Sequence, residues 1–274
     1  MKLVAHISDP HFGSERPAIA AALLADLNGH TAPLPSLVVV SGDLTQRAKE
    51  QQFHAARAFL DALTPPYVVV PGNHDIPLFD VWNRFLHPLD RYRTIVTDDF
   101  MPYHVDDELV AVGLNTAHSF TLKDGRITTE QARAAAAVFA AHPDRFKILV
   151  CHHPFIVPAS RPARERVDGA DDALPILHDA GVEVFCTGHL HTAFASDTGG
   201  FRDDTREILA VHAGTCISSR TRGEPNGYNH LRLDGDELTI IHRLWNGVVF
   251  VDGSHKTYRR DRGRWLHVAA TAAA

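Results

Sequence analysis

Cysteine is scarce in this chain, positive charge is not in surplus, and no long apolar run occurs. Three cysteines, Cys151, Cys186 and Cys216, stand among 274 residues. An odd number, each in or beside an apolar run, excludes a disulfide framework and predicts free, buried thiols. No run approaches the ~20 apolar residues that a membrane-spanning helix needs. The opening MKLVAHISD has no apolar core of signal-peptide length. No membrane association and a cytoplasmic location are therefore expected. Lys and Arg number 27 against 33 Asp and Glu, a net charge of −6. That balance offers no general attraction to a nucleic-acid polymer or an anionic bilayer, and it lacks the basic groove of a nuclease.

What is present is ordinary in bulk and unusual in one residue type. Hydrophobic content of 45% and charged content of 22% suit a globular protein that buries a core without staples. Histidine, by contrast, occurs 19 times. The apolar runs Leu3 to Ile7, Leu37 to Val40, Tyr67 to Val70, Phe146 to Val150 and Val182 to Phe185 read as strands buried on both faces. Between them, 46–63 carries Phe53, Ala56, Leu60 and Leu63 on one helical stripe. Thr128 to Gln131 resembles a capping box before an alanine-rich helix, and Asp172 to Ala180 reads as a helix with Pro175 in its first turn and Gly181 at its end.

Strand and helix alternate, which predicts an α/β layered fold. Ile208 to Val211, Tyr228 to Leu233 and Leu238 to Leu244, within 205–252, read as antiparallel strands that close it. Residues 80–127 yield one strand-like run, Leu109 to Leu114; exposed aromatic and apolar residues expected in 80–115 and in the late strands make a homodimer the expected assembly. No repeat, linker or charge block divides the chain, so 1–274 is expected to form a single domain with 265–274 as a loosely ordered tail.

Each of the five runs is followed by a polar cluster. In order these are Asp9-Pro10-His11, Ser41-Gly42-Asp43, Gly72-Asn73-His74-Asp75, His152-His153-Pro154 and Gly188-His189-Leu190-His191. Taken singly, each reads as well as a turn. Together they lie where α/β sheets bind ligands, beyond the carboxyl ends of the strands. Asp9 with His11, and His189 with His191, are two apart, and in locally extended chain such pairs point to one side. Cys151, next to His152, points away by the same alternation. Asp, Asn and imidazole form a mixed N/O donor set suited to Mn, Fe, Co, Ni or Zn. Seven such groups suit two ions with one carboxylate bridging, and a two-metal centre can drive an in-line displacement at phosphorus.

The order D-x-H, G-D, G-N-H-D, H-H-P and G-H-x-H resembles the calcineurin-like metallophosphoesterase superfamily over residues 9–191. The stretch from Gly214-Thr215 through Arg220 to Asn229 is similar to the bacterial class III cyclic-nucleotide phosphodiesterase branch. The resemblance implies a four-layer α/β/β/α sandwich of two mixed sheets flanked by helices. It also implies two divalent or trivalent transition metal ions (Mn, Fe, Zn or Co). Asp9, His11, Asp43 and His191 would hold one, and Asp43, Asn73, His152 and His189 the other, with Asp43 bridging. Catalysis would fall to His74, as general acid after attack by a metal-bridging hydroxide, and to Asp75, orienting its imidazole. The implied activity is hydrolysis of a small-molecule phosphodiester, with cyclic nucleotides leading. Glycerophosphodiesters and nucleotide or lipid pyrophosphates are the alternatives within the class, and a catalytically weak binding scaffold the alternative outside it. Arg16, Arg220 and Arg222 are candidates for contact with substrate phosphate, His118 for a place at the site mouth, and His153 for a structural role facing away from the metals. Arg259, Arg260, Arg262 and Arg264 read as a solvated face.

Overall fold

The computed structural model describes residues 1–120, 124–157, 162, 165–197 and 207–268. The start of the late segment, 205–206, and the last residues of the expected tail, 269–274, lie outside the described residues.

Two mixed sheets pack face to face. The first has β1 (Lys2–Ile7) parallel to β2 (Leu37–Val40), which is parallel to β3 (Tyr67–Val69). On the other side of β1 the antiparallel strands β10 (Gly227–Asp234), β11 (Glu237–Trp245), β12 (Phe250–Asp261) and β13 (Arg264–Val268) follow in order. The second sheet runs β4 (Tyr103–Val105), β5 (Leu109–Gly113), β6 (Phe146–Val150), β7 (Val184–Thr187), β9 (Leu209–His212), β8 (Phe194–Asp197). Its four central strands are parallel and its two edges antiparallel.

Side-chain alternation assigns each strand face a partner. Val4, Val39, Val68 and Leu231 from the first sheet meet Ala111, Ile148, Val184 and Val211 from the second between the sheets. The opposite faces, through Ala5, Ile7, Val38 and Val40, pack on α1 (Pro17–Leu27) and α2 (Glu50–Asp61), chiefly Leu23, Phe53 and Leu60. Val110, Leu149 and Phe185 pack on α5 (Thr129–Ala140) and α6 (Ala170–Asp179). The four α/β/β/α layers follow, and fully burying each such Val or Leu contributes about 1.5–3 kcal/mol. Two short helices, α3 (Val81–Leu86) and α4 (Asp90–Ile95), fill the connection between the sheets. No helix among the described residues is long and apolar enough to cross a membrane.

Several local readings change. The helix expected over 46–63 begins only at Glu50, because the Gln52 side chain accepts from the amides of Arg47 and Lys49 and stops it there. Residues 44–47 are thereby left to the functional loop. Pro175 lies inside α6, not in its first turn, since the helix starts at Ala170 after Gly169 with φ of +82°. The run at Leu209–His212 pairs with the second sheet, parallel to β7, and does not join the antiparallel strands of the first. Residues 264–268 are no loose tail: they pair with β12, and Trp265 is buried against Phe146 at 6.2 Å. The three cysteines are free and buried as expected.

A buried polar cluster ties α1 to the first sheet. Asp26 accepts from Arg243 Nη2 at 2.7 Å and from the Tyr228 hydroxyl at 3.0 Å, and that hydroxyl lies 3.2 Å from His230 Nε2. Burial first, and Arg243 second, lower His230 to about 4. An ordinary histidine titrates near 6.5, so the unfolded chain takes up a proton below that pH while the folded chain refuses it down to about 4. Stability therefore falls as pH drops through this window, by about 1.5 kcal/mol between pH 6.5 and 5 from this residue. His230→Gln is expected to lose that much less over the same interval in urea titrations.

Candidate metal centre

The five polar clusters converge where the carboxyl ends of β1, β2 and β3 meet those of β6 and β7. Asp9, His11 and Asp43 are buried, as are His152 and His191, while Asn73 and His189 are partly so. The first four of the seven in chain order come from the first sheet and the last three from the second, so the site spans the sandwich.

The paired spacings work by a different geometry from the one expected. Asp9 and His11 have φ of +52° and +45°, Asp43 +52°, His189 +70° and His191 +57°. These are left-handed turns, which are uncommon outside glycine and cluster at functional sites. They fold the chain sharply beyond β1, β2 and β7, and Asp9 and His11 converge because both are turned. The neighbouring glycines permit close approach: a Cβ on Gly188 would overlap Ser8 Oγ and lie 2.6 Å from Asp9 Oδ2.

Hydrogen bonds at the rear of each imidazole set its tautomer. His152 Nδ1 faces the Ser41 carbonyl at 2.7 Å and His11 Nδ1 faces the Thr45 carbonyl at 3.3 Å. A carbonyl only accepts, so Nδ1 carries the hydrogen and Nε2 presents a lone pair. His191 Nδ1 lies 2.6 Å from Thr215 Oγ1, whose hydrogen goes to the Arg220 carbonyl at 3.3 Å; His191 is thereby the donor. The exposed nitrogens face carboxylates: His11 Nε2 is 3.5 Å from Asp9 Oδ1 and 3.7 Å from Asp43 Oδ2, His152 Nε2 3.4 Å from Asp43 Oδ2, and His191 Nε2 3.7 Å from Asp9 Oδ1. Asn73 Oδ1 lies 3.3 Å from His152 Nε2 and 3.1 Å from His189 Nδ1. Asp9 Oδ1 and His11 Nε2 are buried with no hydrogen-bond partner among the described residues. Donor lone pairs facing one another, with such atoms unpaired, fit cations, and the mixed N/O set fits transition metals.

The electrostatics agree. Burial pushes the carboxyls of Asp9 and Asp43 up, but the facing histidines, His191 at Asp9 and His152 at Asp43, outweigh it and hold both below the usual range. At His152 burial is likewise overridden by Asp43, which raises the imidazole to about 9, so that without a bound cation Nε2 carries a proton, and its lone pair is offered to a metal only as that proton leaves. Burial lowers His189 to about 3 and His191 to about 4.

Groups of ligand atoms within 4.8 Å of one another include Asp9–His11–His191 and Asp9–Asp43–His152, and also His152–His153–His189. His153 thus does not face away from the centre: its Nδ1 contacts Thr116 Oγ1 at 2.8 Å while its ring lies 4.8 Å from that of His189. Cys151 does point into packing.

His74 sits beside this cluster. Its amide donates to Asp43 Oδ1 at 2.8 Å, and its Nδ1 faces the Gln46 carbonyl at 2.9 Å. Burial, only partly opposed by Asp43, lowers its imidazole. Asp75 does not orient it. The Asp75 carboxylate accepts from the amides of Gly72 (2.9 Å), Leu44 (3.0 Å) and Thr45 (2.8 Å) and from Thr45 Oγ1 (2.9 Å). The 3₁₀ turn Asn73–Asp75 aims it back at the strand ends, leaving the imidazole to a backbone carbonyl. Burial first and Asp43 second raise Asp75 to about 6, against those four donors.

A cavity of about 250 Å³ opens over Asp43, Asn73, His74, His189 and His191, and Arg220, Arg222, Asp124 and Glu165 complete its walls. Arg16 and His118 are not among them: Arg16 precedes α1 and its amide binds the Ile217 carbonyl, and the His118 ring lies tilted 6.4 Å from that of Phe120. Thr45, Gln46 and Thr215 support the site through the Thr45 hydroxyl on Asp75, the Gln46 carbonyl on His74 and the Thr215 hydroxyl on His191, contacts that no residue type announces in the sequence.

A family profile described as calcineurin-like phosphoesterase matches residues 2–193. Over 82 residues the chain is 38% identical to "Glycerophosphodiester phosphodiesterase GpdQ" of Enterobacter lignolyticus, covering 27% of this chain and 29% of that protein. Over 190 residues it is 24% identical to "Probable cyclic nucleotide phosphodiesterase syc0937_d" of Synechococcus, covering 66% of each. The chain thus spans under a third of one curated relative and just under two thirds of the other. The crystal structure of a dimetal phosphatase from Danio rerio superposes with a TM-score of 0.63 at 13% identity, covering 92% of this chain and 98% of that one; at this identity the likeness is one of fold. With the profile matched across both halves of the seven-residue centre, the chain belongs to the calcineurin-like phosphoesterase family.

Proposed function

We propose that the protein is a dinuclear-metal phosphodiesterase that hydrolyses small phosphodiesters, with cyclic nucleotides as the leading substrates. The observation that carries this reading is the convergence of seven N/O donors, Asp43 among them facing His11 and His152, with His74 held against the same carboxylate. Asp9, His11, Asp43 and His191 hold one ion; Asp43, Asn73, His152 and His189 hold the other. When bound, such ions supply Lewis acidity and an activated water for in-line displacement at phosphorus. The remaining work belongs to side chains. Gln46 keeps a hydrogen on His74 Nδ1 and turns Nε2 to the cavity; in its doubly protonated form the imidazolium passes the Nε2 proton to the leaving oxygen and is left neutral, with the lone pair on Nε2. Asp75 holds the loop that carries both Asn73 and His74.

The wider of the two curated matches bears a cyclic-nucleotide name and favours that substrate. The stronger local identity, to a glycerophosphodiesterase, supports glycerophosphodiesters as a second reading. A hydrolysis panel on Mn-loaded protein tests both: 2′,3′- and 3′,5′-cyclic nucleotides, glycerophosphodiesters, and bis- and mono-nitrophenyl phosphates. Faster cleavage of monoesters than of every diester would overturn the diesterase assignment. On the same panel, His74→Ala is expected to keep both metals and lose turnover, by about 10²-fold or more with poor leaving groups. Asn73→Ala is expected to lower the occupancy of one metal. An emptied site in His74→Ala would sink the acid role.

A further inference from the structure

The wall of the cavity that faces His74 holds a guanidinium to which none of the metal-binding roles applies. Arg220 is about half-buried, yet among the described residues no carboxylate lies within ion-pair distance of it. Its Nη1 is 3.0 Å from His74 Nε2 and 3.3 Å from Nδ1, so it lies against the imidazole and not at the tip of one lone pair. Its other partner among the described residues is a neutral acceptor, Gln46 Oε1 at 3.4 Å. Asp43 and Asp9 attract it from a distance, but neither pairs with it directly, and a charge partly withdrawn from water without a direct partner is costly. Its placement beside the acid, over the proposed bridging carboxylate, is where an anion would offset that cost.

The loop is built to keep it there. Cys216 N binds the Ser8 carbonyl at 3.1 Å, Ser219 N the Ser14 carbonyl at 2.9 Å, and Arg220 N Ser218 Oγ at 3.3 Å. Asn226 braces the loop from within, through the carbonyls of Ser218 and Thr215. Thr215 then joins the Arg220 carbonyl to the rear of His191. The guanidinium is therefore registered to a metal-binding imidazole through one hydroxyl.

We infer that Arg220 is a substrate-binding residue that takes the non-bridging oxygens of the phosphoryl group, leaving His74 free to meet the leaving oxygen. A guanidinium presents N–H donors in a planar fork that matches two phosphoryl oxygens, which a lysine cannot reproduce. Arg222, exposed at the same cavity, adds charge at its rim. The inference rests on the phosphodiesterase reading for its substrate and on the cavity alone for its anion.

The test uses Mn-loaded wild type, Arg220→Lys and Arg220→Gln, each checked for metal content and melting temperature. Inorganic phosphate is titrated by calorimetry, and bis-nitrophenyl phosphate is the substrate. Both variants are expected to keep two metals and the wild-type melting temperature. Phosphate affinity should fall about tenfold or more in Arg220→Gln and less in Arg220→Lys, with a matching rise in KM. In a third variant, Arg220→Ala, millimolar guanidinium should partly restore phosphate affinity, which a merely structural role would not allow. Unchanged phosphate affinity and KM in a fully metallated Arg220→Gln would overturn the inference, as would a fall in affinity that only tracks lost metal. If wild type cleaves no diester but its phosphate binding depends on Arg220, the phosphodiesterase reading fails and the anion site stands. If wild type cleaves diesters and Arg220→Gln matches it, the anion site fails alone.

Discussion

Asp43→Ala is expected to take the metal content from two ions per chain to well under one and to lower diester hydrolysis by about 10³-fold or more, some 4 kcal/mol of barrier. The two oxygens of this carboxylate are unequally engaged. Oδ1 accepts the His74 amide at 2.8 Å, while Oδ2 faces His11 Nε2 at 3.7 Å and His152 Nε2 at 3.4 Å. Oδ2 is thus the atom that faces imidazoles from both sheets. Without it His152 also loses the charge that overrides its burial. Asp43→Asn keeps the shape and tolerates the φ of +52°, so it separates lost charge from lost geometry. Metal analysis after reconstitution, with the far-ultraviolet spectrum as a control for folding, gives the answer. Two ions retained by Asp43→Ala would remove the carboxylate from the centre of the site.

Asp75→Ala is expected to destabilise the protein by about 3–5 kcal/mol, because it strands three backbone amides that are now paired, at about 1–3 kcal/mol for each buried donor left unsatisfied and without full additivity. For a chain of this length that corresponds to a melting temperature lower by about 10 °C. The carboxylate is only 1% exposed, so water does not replace it at these amides. A residue that merely oriented an imidazole would behave differently: its removal would lower turnover and leave the melting temperature in place. Thermal unfolding monitored by circular dichroism separates the two. A shift of less than about 2 °C would restore the orienting role.

How far the sequence discloses the molecule depends on where each signal resides. Runs such as Leu37–Val40 are buried at every position, and burial on both faces leaves an unbroken β-branched string that reads directly as a strand. The seven donors also read directly, since five strand ends each supply groups with no shared structural reason to be complementary. β12 did not: from Val251 to Lys256 its side chains are all exposed, and Asp, Gly, Ser, His and Lys in an antiparallel outer strand carry no apolar period. The orienting role of Asp75 is what the family resemblance implies, with its carboxylate turned toward the His74 imidazole. The turn at Asn73–Asp75 reverses that direction, and no residue type records it. The left-handed conformations of Asp9, His11, Asp43, His189 and His191 were equally hidden, although Asp is tolerant of them.

Those five conformations bear on how such a centre can be lost. Outside glycine each costs on the order of 1 kcal/mol, so together they weigh against the fold by an amount comparable with the margin that keeps a domain folded. A change to glycine at Asp9 or His191 would remove a donor and relieve its backbone in one step. Drift away from chemistry would therefore run downhill in folding free energy, one codon at a time. A protein that holds all five residues in place stands against that slope, at positions where a better-folded neighbour lies a single substitution away.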